Sequence, residues 1–388
     1  MKPIPYARQE IDDYDIASVI ETLKSDFLTQ GPQPVLFEKN ISEYCGANFG
    51  VSFNSATSAL HAACLALSIG ENDYVWTSPN TFVASSNCAL YCGAKVDFVD
   101  IDQATYNISI EKLQEKLSFA KKEKKLPKVL IAVHFGGQSC DMEAIFLLSQ
   151  KYGFKLIEDA SHAIGGKYKE KRIGNCSFSD ITIFSFHPVK IITTGEGGMA
   201  VTNQKFLADH MIKIRSHGIA YEINNNVDQS KDEIWNYHQI SLGFNYRMTD
   251  IQAALGVSQF RRIDEFLLKR HSIAKKYDKE LKGLPLKIPY QDLDCYSAFH
   301  LYVVRLKLSE IKKSKKEIYN SLKLMGVNVN LHYIPVYLHP YYQSLGFKRG
   351  LCPESELYFK EAISLPIFPG LSTAKQDYVI ESIKSILT

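Results

Sequence analysis

From residue 50 to about 200 the chain alternates short, continuously apolar runs with helix-like segments, and this alternation restricts the fold more than any other feature. "GVSF" leads into "SATSALHAACLAL", and "YVWTS" leads into "TFVASSNCALYCG". "KVDFVDI", "KVLIAVHF", "DMEAIFLLSQKYG" and "FKLIEDA" follow in turn. Strands that are apolar on both faces and separated by helices belong to a mostly parallel sheet covered by helices, an α/β fold. The stretch "TDIQAALGVSQFRRIDEFLLKRHSIAKKYDKEL" keeps a helical period and reads as a helix linking two domains. After "GLPLKIP" the pattern changes to "HLYVVRLKL", a helix-like "SKKEIYNSLKLMG" and "VNVNLHY", which predicts a smaller C-terminal α+β domain. The expected division is a large domain over 1–250, the linking helix over 251–282 and the small domain over 283–388.

Charge and cysteine usage remove several function classes. A net charge of +3 on 388 residues is too small to imply nucleic acid or a membrane surface as partner. The start, "MKPIPYARQEIDDYD", reads as no signal segment, and no stretch reaches the roughly 18 uninterrupted apolar residues of a membrane span. Eight scattered cysteines without a CxxC pair predict reduced thiols in a cytoplasmic protein. Cys88 and Cys92 can share one helix face, but no paired ligands accompany them, so we expect core residues and no metal. The polar segment "YEINNNVDQSKDEIWNYHQI" reads as a loop.

Open parallel sheets bind ligands at the carboxyl ends of their strands. After "GVSF", Asn54 or Ser55 can cap a helix whose first turn carries Thr57 and Ser58. Such a start is either an ordinary cap or an anion cradle, in which free amides and the helix dipole favour a phosphate. No GxGxxG or GxxxxGK[ST] pattern is present, so a dinucleotide fold or a P-loop is not supported. Asp159 ends "FKLIED", with His162 three residues on. It can cap a helix, or it can pair with a protonated ring nitrogen. Phe82 can be core, or a flat face for an aromatic cofactor. In "SFHPVKIITTGEGG", Lys190 lies among apolar residues, five after Ser185. Desolvation there would lower its pKa and free a nucleophilic amine, where most lysines are simply solvated. Taken together, these four positions are the parts that hold pyridoxal phosphate: phosphate cradle, ring stack, pyridinium partner and reactive amine.

At this point the chain resembles a known family, the nucleotide-sugar aminotransferases of the aspartate aminotransferase fold, which depend on pyridoxal 5'-phosphate (fold type I). The similarity rests on "LTQGP", "NSATSAL", "TFVASSN", "EDASHAIG", "SFHPVKIITTGEGG", "RSHG" and "GFNYRMTDIQAALG", in the family's order across most of the chain. Within the family, "LTQGPQPVLFE" and "HYIPVYLHPYYQSLGF" are similar to the branch that serves pseudaminic acid biosynthesis.

The resemblance implies that Lys190 bonds the cofactor, Asp159 pairs its ring nitrogen, Phe82 stacks on the ring, and Thr57, Ser58 and Ser185 hold the phosphate, with His162 beside them. It implies that Asn245 reaches into a neighbouring subunit, so that a homodimer shares its active sites. Substrate contacts are implied for Tyr6, Asp26, Phe27, Leu28, Thr29, Ala56, Ser185, Asn245, Val336, Tyr337, Leu338 and His339. For several of the tyrosines in the "HYIPVYLHPYY" turn, plain packing is the competing reading. The implied substrates are glutamate and a UDP-linked 4-keto-6-deoxy-N-acetylhexosamine. A related dehydratase branch shares the scaffold but replaces the lysine, which is present here.

Overall fold

The computed structural model describes residues 3–220 and 235–387. Seven strands form the central sheet: Phe49–Phe53 (β1), Tyr74–Thr77 (β2), Lys95–Phe98 (β3), Val129–Val133 (β4), Lys155–Asp159 (β5), Ile181–Ser185 (β6) and Gly198–Thr202 (β7). Their spatial order is β1-β7-β6-β5-β4-β2-β3. β7 runs antiparallel to both β1 and β6, and every other neighbouring pair is parallel. The strands are buried on both faces, as their unbroken apolar runs require: β4 and β6 are buried at every position.

Helices cover the sheet because each presents an apolar stripe. Ala59, Leu60, Ala62, Ala63 and Cys64 of the helix Ala56–Ala66 pack with Val51, Phe53, Ile181 and Ile183. Leu113 and Leu117 of the helix Ile110–Lys122 join Trp76, Leu130 and Ile145 on the other side. A second core lies near the C-terminus. There a three-stranded antiparallel sheet, Leu286–Lys287, Tyr302–Leu306 and Ala362–Leu365, is covered by the helices Lys315–Leu324 and Thr373–Leu387.

The periodic stretch after residue 249 is two helices, Asp250–Phe260 and Ile263–Glu280, and not the single linking helix expected. The apolar period continues through the break, with Val257 and Ile263 in one core cluster. At the break the Arg262 guanidinium reaches Asp15 at 2.7 Å and Asp12 at 3.2 Å, tying the junction to the N-terminal helix Asp13–Leu23. Of the polar segment read as a loop, 221–234 lies outside the described residues. His238 and Gln239 pair as a short strand with Ile219 and Ala220. Among the described residues no helix is long and apolar enough to cross a membrane.

Charge ties β1 to the helix Pro32–Cys45. Arg215 donates to the Ser52 carbonyl of β1 at 2.7 Å and pairs with Glu38 of the helix Pro32–Cys45. Arg215→Ala leaves the Glu38 carboxylate largely buried without its cation, a loss of about 3 kcal/mol. Urea unfolding should show that loss, and Glu38→Gln combined with Arg215→Met should recover much of it.

Candidate functional site

The carboxyl ends of β1, β2, β4, β5 and β6 open into one cleft of ≈ 770 Å³. Residues at or after the strand ends line it: Ser55 to Thr57, Thr81 to Ser85, Val133, Asp159, Ser161, His162, Ser185, His187, Val189 and Lys190 contribute from the large sheet. Tyr6, His300, Asn330 to Ile334 and His339 close the opposite wall.

Each part is built locally. Ser55 is extended and caps the helix Ala56–Ala66 by accepting from the Ser58 amide at 3.1 Å. The amides of a first helical turn have no intrahelical partner, so they remain donors for an anion. β7 presses against this start. A Cβ on Gly198 would lie 2.5 Å from the Ala56 nitrogen, so glycine is required for the close approach. Asp159 is only 5 % exposed. Its carboxylate accepts from the Ser85 hydroxyl at 2.6 Å and from the Ser161 amide at 3.1 Å, and Ser85 is in turn within 2.7 Å of the Thr81 hydroxyl. Phe82, beside Ser85, is largely exposed and offers an open ring to the cleft rather than joining the core.

Lys190 sits in the connection between β6 and β7, not in a strand. Its amide donates to His187 at 2.9 Å, and the Thr193 and Thr194 contacts with the Phe186 carbonyl close the loop. Ile191 and Ile192 are buried in the core, which explains the apolar run. They anchor the loop and leave the half-buried Lys190 at the cleft surface. Desolvation pushes its ammonium down to about 8, against the opposing pull of the Asp159 carboxylate.

Three histidines surround the amine. His162, His300 and His332 are all held below the usual imidazole range, first by burial and then by neighbouring charge that includes Lys190. His332 falls to about 3. His162 Nδ1 accepts from the Gly136 amide at 3.3 Å, so its neutral ring carries the proton on Nε2, 3.1 Å from the Tyr333 hydroxyl. The Tyr333 hydroxyl proton is therefore free to point elsewhere, and burial keeps that phenol protonated.

The cleft brings together nine residues singled out from the sequence: Tyr6, Ala56, Thr57, Phe82, Asp159, His162, Ser185, Lys190 and His339. Ser58 lies just behind, its hydroxyl donating to Asn54 at 2.7 Å. Asn245 and the run Asp26, Phe27, Leu28, Thr29 are exposed on the chain's surface, outside this cleft. Val336 and Tyr337 are fully buried, and Leu338 packs against the same core. The expected wall at Val336 to Leu338 is thus corrected. The Tyr337 hydroxyl is taken by Glu356 at 2.8 Å, and the wall is formed by Asn330 to Ile334. Thr81, Ser85, His187, Glu196, His300, Asn330, His332 and Tyr333 were not assigned from the sequence. Ser85 was within reach, since it follows Phe82 by three residues in "TFVASSN". His300 lies just before the strand Tyr302–Leu306, far from any motif, and gave no signal.

These residues fit pyridoxal phosphate. The donor amides of a helix start, an open aromatic face, a buried carboxylate held by donors and an amine of lowered pKa face one space. Residues 9–384 match the DegT/DnrJ/EryC1/StrS aminotransferase family. The chain is 38% identical over 385 residues to the UDP-4-amino-4,6-dideoxy-N-acetyl-beta-L-altrosamine transaminase of Campylobacter jejuni, covering 99% of this chain and 97% of that one. The structure superposes on Helicobacter pylori PseC, an aminotransferase involved in the biosynthesis of pseudoaminic acid, with a TM-score of 0.89 and 31% identity over 100% of this chain and 99% of that one. It superposes on the PLP-form of the putative sugar aminotransferase Spr1654 of Streptococcus pneumoniae with a TM-score of 0.87 and 28% identity, covering 99% and 98%.

The Lys190 environment sets a pH dependence. In the cofactor-free protein, reductive methylation of Lys190 by formaldehyde should rise with pH through about 8, where the amine becomes neutral. Asp159 favours the charged amine, so Asp159→Asn should move that midpoint to lower pH. Peptide mass spectrometry across pH 6 to 10 reads both, and a midpoint at an ordinary lysine value would contradict the desolvated setting.

Proposed function

The chain belongs to the DegT/DnrJ/EryC1/StrS aminotransferase family and is a pyridoxal-phosphate-dependent sugar aminotransferase, and from that premise we propose that it moves the amino group of glutamate to carbon 4 of a UDP-linked 4-keto-6-deoxy-N-acetylhexosamine, within pseudaminic acid biosynthesis in the cytoplasm. The observation that carries the reading is the convergence of the helix start at Ala56, Asp159 and Lys190 on one cleft. Its volume of ≈ 770 Å³ lies in the upper part of the roughly 300–1,000 Å³ range of small-molecule sites, so a nucleotide sugar has room beside the cofactor.

When bound there, the cofactor supplies an electron sink for the pair released as an amino-acid α-carbon loses its proton. The chain's own residues do the rest. Asp159 keeps a negative charge at the ring nitrogen and so favours its protonated form. The Lys190 Nζ, with its pKa near 8, can hold the cofactor and then take a proton from the amino donor's α-carbon and return it. The neutral imidazoles and the protonated Tyr333 provide hydrogen-bonding groups without adding charge near that amine. Tyr6 and His339, on the opposite wall, face the room left for the sugar.

The same reading includes a homodimer with shared sites. Asn245 and Asp26 to Thr29 lie outside the cleft of their own chain. Around them Phe27, Leu28, Val35 and Leu36 are exposed, an apolar surface that a second copy would cover.

Two experiments test this. Incubation with glutamate and a panel of UDP-4-keto-6-deoxy-N-acetylhexosamines should give an aminated sugar detectable by mass spectrometry, and Lys190→Ala should abolish it. A product aminated at carbon 3, or no product from any UDP-ketosugar, would refute the substrate. Mixing the inactive Lys190→Ala and Asn245→Ala subunits should restore part of the activity, because a hybrid dimer contains one intact site. If subunit exchange is shown by mass and no activity returns, the sites are not shared.

A further inference from the structure

Glu158 and Asp159 end β5 side by side, and successive strand residues face opposite sides of a sheet. Asp159 faces the cleft, so Glu158 lies on the far side, where it is buried. The Glu158 carboxylate accepts from the His134 ring Nε2 at 2.7 Å and from the hydroxyls of Ser179 and Thr182. Burial alone would raise the Glu158 carboxyl, but these donors outweigh it and hold the group below the usual carboxylate range. His134 is fully buried, and its Nδ1 accepts from the Cys140 amide at 3.1 Å. The ring is therefore neutral, with its one proton on Nε2 and directed at an ionised carboxylate, a strong bond.

This ring stands at the root of a turn that reaches the cleft. His134 follows β4, and its amide donates to the Asp159 carbonyl at 3.1 Å. Its carbonyl accepts from the Gly137 amide at 3.3 Å, which closes the turn Phe135–Gly137. Inside the turn Gly136 is left-handed at φ 66°, and its amide donates to His162 Nδ1 at 3.3 Å. The Gly136 and Gly137 carbonyls accept from the Leu301 and Ala298 amides at 3.1 and 3.0 Å, on either side of His300. The His162 and His300 ring centroids are 4.4 Å apart. One turn thus places two of the cleft's histidines. Asn107 braces its outer part by accepting from the Phe135 amide at 2.8 Å, and the Glu158–His134 bond braces its root.

We propose that Glu158 and His134 are positioning residues for the cleft: from the far face of the sheet they hold the turn after β4, so that the Gly136 amide keeps His162 in one tautomer. The inference rests on the reading that this cleft holds pyridoxal phosphate and a ketosugar. With Nδ1 taken by Gly136, His162 carries its proton on Nε2 and gives it to the Tyr333 oxygen, 3.1 Å away. The Tyr333 hydroxyl is then free to donate its own proton into the cleft. Once Gly136 moves off, His162 can carry the proton on Nδ1, and its Nε2 then accepts from Tyr333. The polarity of the Tyr333 hydroxyl reverses, and the cleft exchanges a donor for an acceptor. The Gly136–His162 bond is already at the long end of the hydrogen-bond range, so a small shift of the turn breaks it.

The test uses the holoenzyme labelled with 15N-histidine, whose ring nitrogen signals report the tautomer of each neutral imidazole. Comparison with His162→Gln identifies the signals of His162. The wild type should show His162 protonated on Nε2. Glu158→Met keeps the bulk of the side chain but removes the acceptor. It should populate the Nδ1 tautomer and lower kcat about tenfold, while pyridoxal phosphate still colours the protein. Glu158→Gln keeps an acceptor for His134 and should restore the wild-type tautomer with most of the activity. A pair that only stabilises the fold would lower the melting temperature of Glu158→Met and leave the tautomer unchanged, and that result overturns the inference. A wild-type His162 protonated on Nδ1 overturns it as well. His134→Phe makes the same break from the other partner and decides between these outcomes if Glu158→Met fails to fold. Wild-type protein that takes up no pyridoxal phosphate would refute the cofactor reading separately, because the tautomer is read without turnover.

Discussion

One negative charge at the end of β5 organises the cleft. Asp159 is nearly removed from water, and an ionised carboxylate survives there only with donors fixed upon it. Ser85 and the Ser161 amide supply them. Ser85 belongs to the helix that follows β2, and Ser161 to the turn after β5, so two separate loops must be in place before that charge is tolerated. The consequence reaches the rest of the wall. His162, His300 and His332 are kept neutral by burial and by the Lys190 charge, and so none of them competes for Asp159 as an imidazolium. A cationic ring nitrogen that enters the cleft meets an anion whose partners are hydroxyl and amide groups.

The opposite wall depends on a strap. Ile4 donates to the Gly326 carbonyl at 2.8 Å and accepts from the Asn328 amide at 2.9 Å. The Tyr6 carbonyl accepts from Ile367 at 3.0 Å. A few residues later Asp12 and Asp15 hold Arg262 at the junction of the two helices. Residues 4–15 therefore bind the C-terminal core to the helices that pack on the large sheet, and Tyr6 enters the cleft from within that strap. Arg270 completes the join. Its fully buried guanidinium donates to the carbonyls of Phe299, His300 and Ile367, which sets the backbone that carries His300 and fixes the residue bonded to Tyr6.

How much of this was legible in the residues depended on range. The parallel sheet was readable because its signal is local: an apolar run ends, small or polar residues follow, and a helix begins. Asp159, Ser185 and Lys190 were found the same way, since an open sheet places strand ends at a ligand whatever the distant contacts are. The linking helix was misread because periodicity reports which face is apolar and not whether the backbone is continuous. Only the long-range pull of Asp12 and Asp15 on Arg262 marks the break. The turn "HYIPVYLHPYY" is the sharper case. It holds four tyrosines across an extended stretch, a single 3-10 turn and a five-residue helix, each too short for a period to say which ring faces inward. Tyr333 meets His162, a partner from the turn after β5, while Tyr337 is drawn into the core by Glu356 from a later helix.

The residues that came from resemblance alone divide along the same line. Those at strand ends converge on the cleft, as the sheet topology compels. Asn245 and Asp26 to Thr29 do not, and each lies on a segment whose contacts are to neighbouring backbone. Thr29 pairs with Thr249, Leu28 accepts from Asp250, and the Asn245 carbonyl accepts from Asn54 at 3.3 Å. Those bonds hold the segments in shape while leaving the side chains outward. Backbone held in this way keeps these segments away from their own chain's cleft, beside an exposed apolar surface. In the proposed shared site these residues act only if a second copy brings a cleft to them, so that proposal and the proposed dimer stand or fall together.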